Sequence, residues 1–152
     1  MDSSDNRTSP ESLARVFLVE DNPEHSFIAV RVLRQLLGEE SEIIVVESAD
    51  EALHLLHQFT EHDRPDLILI DLRLPDSRGL EALSAARAHE ACAQVPTLVI
   101  TSSLYDQDVA QSYQLGASAV LNKPLSRASL RDELIRIGTL APNSSRLRTT
   151  SH

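Results

Sequence analysis

Five side chains of this sequence that could do chemistry stand at the ends of short apolar runs. They are Glu20, Asp21, Asp71, Thr101 and Lys123. If the runs are parallel strands of one sheet, their carboxyl ends lie at one edge, where open α/β sheets bind ligands. Three carboxylates, a hydroxyl and an ammonium would then meet. This combination predicts a magnesium-dependent site that accepts a phosphoryl group.

The three acidic residues would repel one another strongly once gathered, unless a cation offsets their charge. A divalent ion with oxygen ligands and bound waters fits, which favours Mg²⁺ and allows Mn²⁺. Asp71 is the predicted nucleophile, because a carboxylate can form an acyl phosphate with help from a metal. For any one acid alone, a solvated loop after a strand is the better interpretation; all three at such ends favour the site.

Thr101 and Lys123 are predicted to contact the phosphoryl group. The threonine hydroxyl would donate to one phosphoryl oxygen, and the lysine ammonium would place its charge beside another. A threonine at a strand end and a Lys-Pro dipeptide are each common in loops. Their joint placement is what indicates the site.

Positioning these side chains requires strands that alternate with helices. The predicted strands are Val16–Val19, Ile43–Val46, Leu67–Ile70, Thr97–Ile100 and Ala119–Leu121. The runs at 16–19, 67–70 and 97–100 are continuously apolar, as in strands covered on both faces. The alternation predicts an α/β fold: a three-layer sandwich around a five-stranded parallel sheet with right-handed crossovers.

Capping signals mark the helices between these strands. Asn22-Pro23 predicts the start of the first helix, and Ser48 with Glu51 has the spacing of a capping box before the second. The inward face of the first helix is predicted to carry Phe27, Val30, Leu33 and Leu37. Gly138 is the predicted stop of the last helix.

Length and composition indicate one domain of 152 residues with 41% hydrophobic content, enough for a buried core. Residues 15–138 are predicted to form it. Residues 1–14 are interpreted as a flexible leader and residues 139–152 as a flexible tail, because both are polar and hold few apolar residues. With only that tail after the last helix, we expect no DNA-binding domain.

The net charge of −9 argues against binding to nucleic acid or to an anionic membrane surface, both of which favour clustered basic residues. No apolar stretch approaches the roughly 20 residues that a membrane span needs. Cys92 is the one cysteine, which excludes an internal disulfide and suits the cytoplasm. We therefore expect a cytoplasmic protein.

The site residues stand within motifs that resemble those of two-component response-regulator receiver domains. The motifs are Glu20-Asp21, Asp71-Leu72-Arg73-Leu74-Pro75 with Gly79, Thr101, and Lys123-Pro124. The separations of 30 residues from Asp71 to Thr101 and 22 from Thr101 to Lys123 are also similar to those of the family. The resemblance runs from about Arg15 to Gly138 and implies a flavodoxin-like sheet of order 2-1-3-4-5.

The resemblance implies that Asp71 accepts a phosphoryl group from a histidine of a sensor histidine kinase. It also implies that Asp21, Asp71 and the backbone carbonyl of Arg73 hold Mg²⁺, with Glu20 acting through water. The Lys123–Pro124 peptide bond is expected to be cis. Thr101 is expected to move toward the phosphoryl group and to reshape the face formed by the fourth and fifth βα units.

Two positions depart from the family pattern. Many receivers carry a switch aromatic three residues before the lysine, where this sequence has Val120. The coupling between Thr101 and that position is therefore expected to be weaker or rerouted. Arg73 is bulky and cationic, and we hypothesise that it overhangs the phosphoryl group and alters its hydrolysis. An arginine that points to solvent is the alternative.

A narrower resemblance is to the stand-alone regulators that work with bacterial phytochrome histidine kinases. It rests on Glu20-Asp21-Asn22-Pro23, Thr101-Ser102-Ser103 and Ser112-Tyr113-Gln114-Leu115-Gly116-Ala117. It implies a bacteriophytochrome as the kinase, and a homodimer through the fourth and fifth βα units or C-terminal segments. Ser102 is a candidate site residue within this group. Tyr113 is predicted to pack on the sheet.

Other functions on the same fold fit less well. An aspartyl phosphatase would want a second acid where Arg73 stands, and the acidic pair Glu20-Asp21 would repel a flavin phosphate. The chain is thus expected to be no enzyme, beyond hydrolysis of its own acyl phosphate. Its output would pass through altered protein contacts. The alternative is a phosphorylation-independent adaptor or dimerisation module on the receiver fold.

Histidines suggest two weaker sites. His54, His57 and His62 lie near one helix, where solvated surface positions are the favoured interpretation. His89 with Cys92 has the spacing of half a zinc site, but no second pair completes it.

Overall fold

The computed structural model describes residues 14–75, 78–103 and 106–142. Its strands are β1 (Arg15–Val19), β2 (Glu42–Val46), β3 (Leu67–Asp71), β4 (Thr97–Thr101) and β5 (Ala119–Asn122). All neighbours are parallel, and the order is β2-β1-β3-β4-β5. The predicted α/β fold class, strand order and flavodoxin-like topology are confirmed.

Each strand is one residue longer than its apolar run predicted, because a polar residue joins the ladder at one end. Asp71 pairs in register with Ile100, and Thr101 pairs with Asn122. Both polar side chains are thus held by strand backbone at the carboxyl edge of the sheet. The candidate site is therefore built in part on strands, which position side chains more precisely than loops do.

The helices are α1 (Pro23–Leu37), α2 (Ala49–Gln58), α3 (Gly79–Ala88), α4 (Asp106–Gln114) and α5 (Arg127–Arg136), with a short 3-10 helix at Glu90–Cys92. The predicted caps are confirmed. The Asn22 side chain accepts hydrogen bonds from two N–H groups at the start of α1, and Ser48 accepts one from Glu51 at 3.1 Å. These caps satisfy backbone donors that have no partner within the helix.

Alternate residues of β1 point to opposite sides of the sheet and enter two separate apolar clusters. Val16 and Leu18 pack with residues of α1 and α5, whereas Phe17 and Val19 pack with residues of α2 and α3. Phe17 also meets the ring of Phe59 edge to face at 5.4 Å. The strand therefore has helices on both faces, as the three-layer prediction required.

Two predictions of packing were wrong. Phe27 is 66% exposed, and the buried residues of α1 are Ala29, Val32, Leu33, Leu36 and Leu37. The helix turns about 100° per residue, so the stripe centred on Leu33 leaves Phe27 on the outer side. Tyr113 of α4 is 46% exposed instead of packed on the sheet.

The first residues of the predicted C-terminal tail pack against the domain. Thr139 and Leu140, assigned by sequence to the tail, are buried, and Leu140 joins the cluster beneath α1 and α5. Residues 1–13 and 143–152 of the predicted leader and tail lie outside the described residues. Among the helices of the described ranges, none has the length and apolarity required to cross a bilayer.

Candidate functional site

The carboxyl edge of the sheet brings the three predicted acids together. Glu20 and Asp21 follow β1, and Asp71 ends the neighbouring strand β3. One carboxylate oxygen from each lies within 4.8 Å of the other two. Parallel pairing of β1 with β3 is the cause, since it places the ends of both strands at the same height. The cluster supplies an all-oxygen donor set of the kind that Mg²⁺ prefers.

Lys123 inserts its ammonium into this cluster. Its Nζ atom lies 3.0 Å from Asp71 Oδ2 and 2.8 Å from Glu20 Oε1, and the side chain is only 10% exposed. The backbone N–H of Lys123 donates to the carbonyl of Thr101 at 2.8 Å, which ties the end of β5 to β4. The Lys123–Pro124 peptide bond is cis. The one ammonium thus balances part of the charge of two carboxylates.

Asp71 is held at both carboxylate oxygens. The N–H of Arg73 donates to Oδ1 at 2.9 Å, while Lys123 donates to Oδ2. Just beyond, α3 begins at Gly79, where a Cβ atom would lie 2.5 Å from the carbonyl oxygens of Asp71 and Leu72. Because no Cβ is accommodated at that distance, glycine at this position lets α3 start directly against the end of β3.

Glu20 is a buried member of this cluster. Burial raises the pKa of its carboxyl above the ordinary value; Lys123 opposes this, and the neighbouring Asp71 adds to it. Oε2 accepts a hydrogen bond from the N–H of Asn22 at 3.2 Å. Oε1 lies 2.8 Å from the Lys123 ammonium, which Asp71 shares. A buried carboxylate beside two more carboxylates, with one ammonium between two of them, leaves negative charge that a divalent cation would offset.

The remaining predicted residues lie around this centre. Thr101 is fully buried, and its hydroxyl oxygen accepts a hydrogen bond from the N–H of Ser103 at 3.2 Å. Ser102 is exposed and lines a cavity of about 350 Å³ that also reaches Glu20 and Lys123. Val120 is half-buried and packs against the cluster beneath α2 and α3. An aliphatic side chain thus fills the position of the usual switch aromatic.

The Arg73 side chain is 44% exposed and has a partner that the sequence did not suggest, while its overhang of a phosphoryl group stays a prediction. Its guanidinium forms an ion pair with Asp108 of α4 at 2.7 Å. The contact spans 35 residues of sequence, so no local pattern revealed it. The arginine therefore links the loop after Asp71 to α4.

Sequence reasoning missed one contributor to the site, His25. Its Nδ1 atom lies 2.9 Å from Lys123 Nζ and 3.8 Å from Glu20 Oε2. The only signal in the sequence was its position in the first turn of α1, four residues after Asp21. A histidine within one helical turn of the acidic pair could have been included on that ground.

Among the described residues, the histidines of the two weaker sites do not form a metal-binding cluster. The Nε2 atom of His89 lies 2.9 Å from the carbonyl oxygen of Phe59, and Cys92 is a buried free thiol. Within the part of the chain that the structure describes, neither belongs to a group of three or more metal-ligating side chains. The carboxylate cluster is the metal-binding candidate.

Comparison with known proteins agrees with this geometry. Residues 16–135 match the family model described as the response regulator receiver domain. The chain belongs to the response regulator receiver family.

Similar proteins include other response regulators, one of them named for a bacteriophytochrome. Response regulator Rcp1 of Synechocystis sp. is 32% identical over 111 residues, which cover 71% of this receiver and 75% of that protein. The bacteriophytochrome response regulator RtBRR superposes with a TM-score of 0.70 at 30% identity, over 83% of this receiver and 78% of that chain.

A third similar protein was solved with a metal. It is the receiver domain of the sensor histidine kinase PA1611 from Pseudomonas aeruginosa PAO1, with a magnesium ion coordinated in its active site cleft. It is 31% identical to this receiver with a TM-score of 0.68, over 84% of this chain and 99% of that one.

Proposed function

We propose that this receiver is a single-domain response regulator that accepts a phosphoryl group at Asp71 from a histidine of a sensor histidine kinase. The observation that carries the proposal is the setting of Asp71. It stands at the carboxyl edge of the sheet, held by Lys123 and by the N–H of Arg73, within 4.8 Å of two more carboxylates. A carboxylate so placed is a fixed nucleophile.

The transfer exchanges one bond to phosphorus for another. A carboxylate oxygen of Asp71 attacks the phosphorus of the phosphohistidine, the P–N bond breaks, and its electron pair returns to the histidine ring. Lys123 holds positive charge beside the oxygen where the phosphoryl group arrives. The Thr101 hydroxyl, at the end of the next strand, would donate to a phosphoryl oxygen.

Mg²⁺, with Mn²⁺ as a substitute, is the cofactor we propose. Asp21, Asp71 and the backbone carbonyl of Arg73 would hold the ion, with Glu20 acting through water. When bound, the metal supplies positive charge that screens the repulsion between the Asp71 carboxylate and the incoming phosphoryl group. The grouping of three carboxylates, two of which share one ammonium, supports this assignment.

The kinase partner we propose is a bacteriophytochrome, because the bacteriophytochrome response regulators RtBRR and AtBRR are among the similar structures. Signalling would pass through altered protein contacts in the cytoplasm, where the free thiol of Cys92 is stable. A homodimer through the fourth and fifth βα units is the proposed assembly, supported by the exposed Tyr113 on α4. Any enzymatic activity would be limited to hydrolysis of its own acyl phosphate.

Intact mass after incubation with acetyl phosphate tests the acceptor. The wild type should gain one phosphoryl group with Mg²⁺ and none with EDTA, and Asp71→Asn should gain none in either condition. Asp66→Asn is the matched control, because it removes an aspartate at the opposite end of the sheet. A wild type that never gains mass would overturn the proposal and favour the phosphorylation-independent adaptor.

The partner is tested separately by following phosphoryl transfer from autophosphorylated kinases. A bacteriophytochrome kinase should transfer to this receiver much faster than an unrelated sensor kinase at the same concentration. Equal rates would remove the phytochrome assignment and leave the acceptor chemistry intact.

A further inference from the structure

The ammonium of Lys123 has a third neighbour besides the two carboxylates. His25 Nδ1 lies 2.9 Å from Lys123 Nζ, compared with 3.0 Å for Asp71 Oδ2 and 2.8 Å for Glu20 Oε1. An ammonium has three N–H donors and cannot accept. His25 must therefore accept at Nδ1, which requires the neutral ring with its proton on Nε2.

The backbone holds His25 in place. The Asn22 side chain accepts hydrogen bonds from the N–H groups of Glu24 at 2.9 Å and His25 at 3.2 Å, and Pro23 opens the helix. The imidazole is thus fixed to the capped first turn of α1, directly after the acidic pair. Its side chain is 43% exposed and borders the same cavity as Lys123 and Ser102.

A neutral acceptor does something for Lys123 that the carboxylates cannot. The lysine stem is long and flexible, so its ammonium must be restrained if it is to meet the phosphoryl group without reorganisation. Glu20 and Asp71 restrain it only while their oxygens are free for it. A divalent cation bound to this cluster would draw on the charge of the same carboxylates and weaken their attraction for the ammonium. The Nδ1 atom of His25 is not a ligand in that set and stays available.

We propose that His25 is a positioning residue for phosphoryl transfer: its Nδ1 atom holds the Lys123 ammonium beside Asp71 while the metal occupies the carboxylates. The inference rests on the proposed function and adds a residue to it. His25 does not touch the phosphoryl group; it acts through Lys123.

Three substitutions separate this role from simple packing. His25→Asn places an acceptor oxygen near the position of Nδ1, His25→Gln places one near the position of Nε2, and His25→Ala has none. We expect phosphate uptake from acetyl phosphate, at saturating Mg²⁺, to slow about threefold to tenfold in the Ala and Gln variants. Asn should restore most of the rate. His54→Gln, an exposed histidine on α2, is the control and should match the wild type.

The imidazole tautomer provides a readout that is independent of activity. Nitrogen-15 chemical shifts of the His25 ring in the metal-free protein should report a protonated Nε2 and an accepting Nδ1. The Nδ1 shift should move in Lys123→Met, which removes the donor. An Nδ1–H tautomer in the wild type would contradict the proposed contact.

The outcomes distinguish this inference from the proposed function. If the wild type takes up phosphate and all three His25 variants match it, the positioning role is wrong and the acceptor stands. Equal slowing of Asn, Gln and Ala would also overturn the role, because it would indicate a loss of packing. If the wild type takes up no phosphate, the acceptor and the role of His25 fall together.

Discussion

Charged side chains at the two ends of the sheet differ in the partners that they contact. At the amino end, charged side chains are bonded to backbone. Asp66 accepts from the N–H of Arg15 at 2.9 Å, Arg64 donates to the carbonyl of Ala91 at 3.1 Å, and Arg87 donates to that of Val95 at 2.9 Å. At the carboxyl end, Glu20 and Asp71 share one ammonium, and Asp21 adds a third carboxylate beside them.

This contrast separates a structural use of charge from a functional one. Backbone partners are supplied by the fold itself, so the amino end needs nothing from solution. The carboxyl end is short of positive charge and should respond to a cation. We expect this shortage of positive charge to lower the stability of the protein and to favour binding of a cation, as is common at functional sites.

The largest effect is expected from Lys123→Met, which removes the ammonium that contacts Glu20 and Asp71. Leaving a nearly buried carboxylate pair uncompensated should lower the free energy of unfolding by about 3 kcal/mol in EDTA. Saturating Mg²⁺ should recover more stability in this variant than in the wild type, since the ion replaces the lost charge. Urea unfolding with and without Mg²⁺ measures both.

Arg64→Met is the matched variant at the amino end. It should destabilise the protein too, because the Ala91 carbonyl loses a donor. Its loss should be the same with Mg²⁺ as with EDTA. If Mg²⁺ stabilised Arg64→Met and Lys123→Met equally, the proposed difference between the two ends of the sheet would be wrong.

Gly79→Ala should destabilise by about 2 kcal/mol, because the new Cβ would clash with the backbone at Asp71 and Leu72 and overpacking costs energy. It should also slow phosphate uptake, since the shifted backbone carries the acceptor. Ser84→Ala, at an exposed position of the same helix, is the control. Thermal unfolding and the intact-mass assay provide the two measurements, and an unchanged melting temperature would contradict the predicted close contact.

We expect the buried thiol of Cys92, near the amino end of the sheet, to make the stability of the protein depend on pH. Burial raises the pKa of its thiol to about 11 from an ordinary value of 9.0. The unfolded chain therefore loses the proton first, and stability falls as pH rises above 9. The loss should be about 1 kcal/mol at pH 10 relative to pH 8. Cys92→Ala should lack this component, so the difference between the two pH profiles isolates it; parallel profiles would refute it.

The smallest effect is expected for the ion pair that links the loop after Asp71 to α4. The Arg73–Asp108 ion pair is partly exposed, so a double-mutant cycle with Arg73→Ala and Asp108→Ala should give a coupling energy below about 1 kcal/mol. Because the guanidinium is paired with Asp108, we expect Arg73→Ala and Asp108→Ala to change the acyl-phosphate lifetime equally. A lifetime altered by Arg73→Ala alone would support the overhang hypothesis.

The strands and the acidic cluster were accessible from sequence because each rests on local pattern, whereas the order of the strands was implied by the resemblance to receiver domains. A continuous apolar run predicts a buried strand, and parallel strands bring their carboxyl ends together. Glu20, Asp21 and Asp71 could therefore be grouped without coordinates. The predicted ends of β3 and β4 were one residue short, because Asp71 and Thr101 are polar although their backbone continues the ladder.

Contacts between distant segments were decided by the tertiary structure. The pairs His25–Lys123 and Arg73–Asp108 join residues 98 and 35 positions apart, and no period in the sequence relates them. They depend on how α1 and α4 lie against the sheet. The outward position of Phe27 depends on the rotation of α1 about its own axis.

By itself, then, the sequence determined which chemical groups reach the carboxyl edge, since strand pattern and polar strand ends are local properties. Only the folded chain decided how those groups share charge. The place of Lys123 among two carboxylates and an imidazole, and the room that Gly79 leaves at Asp71, are set by distances of a few ångströms between elements. Such distances follow from close packing of the whole domain, which no single segment encodes.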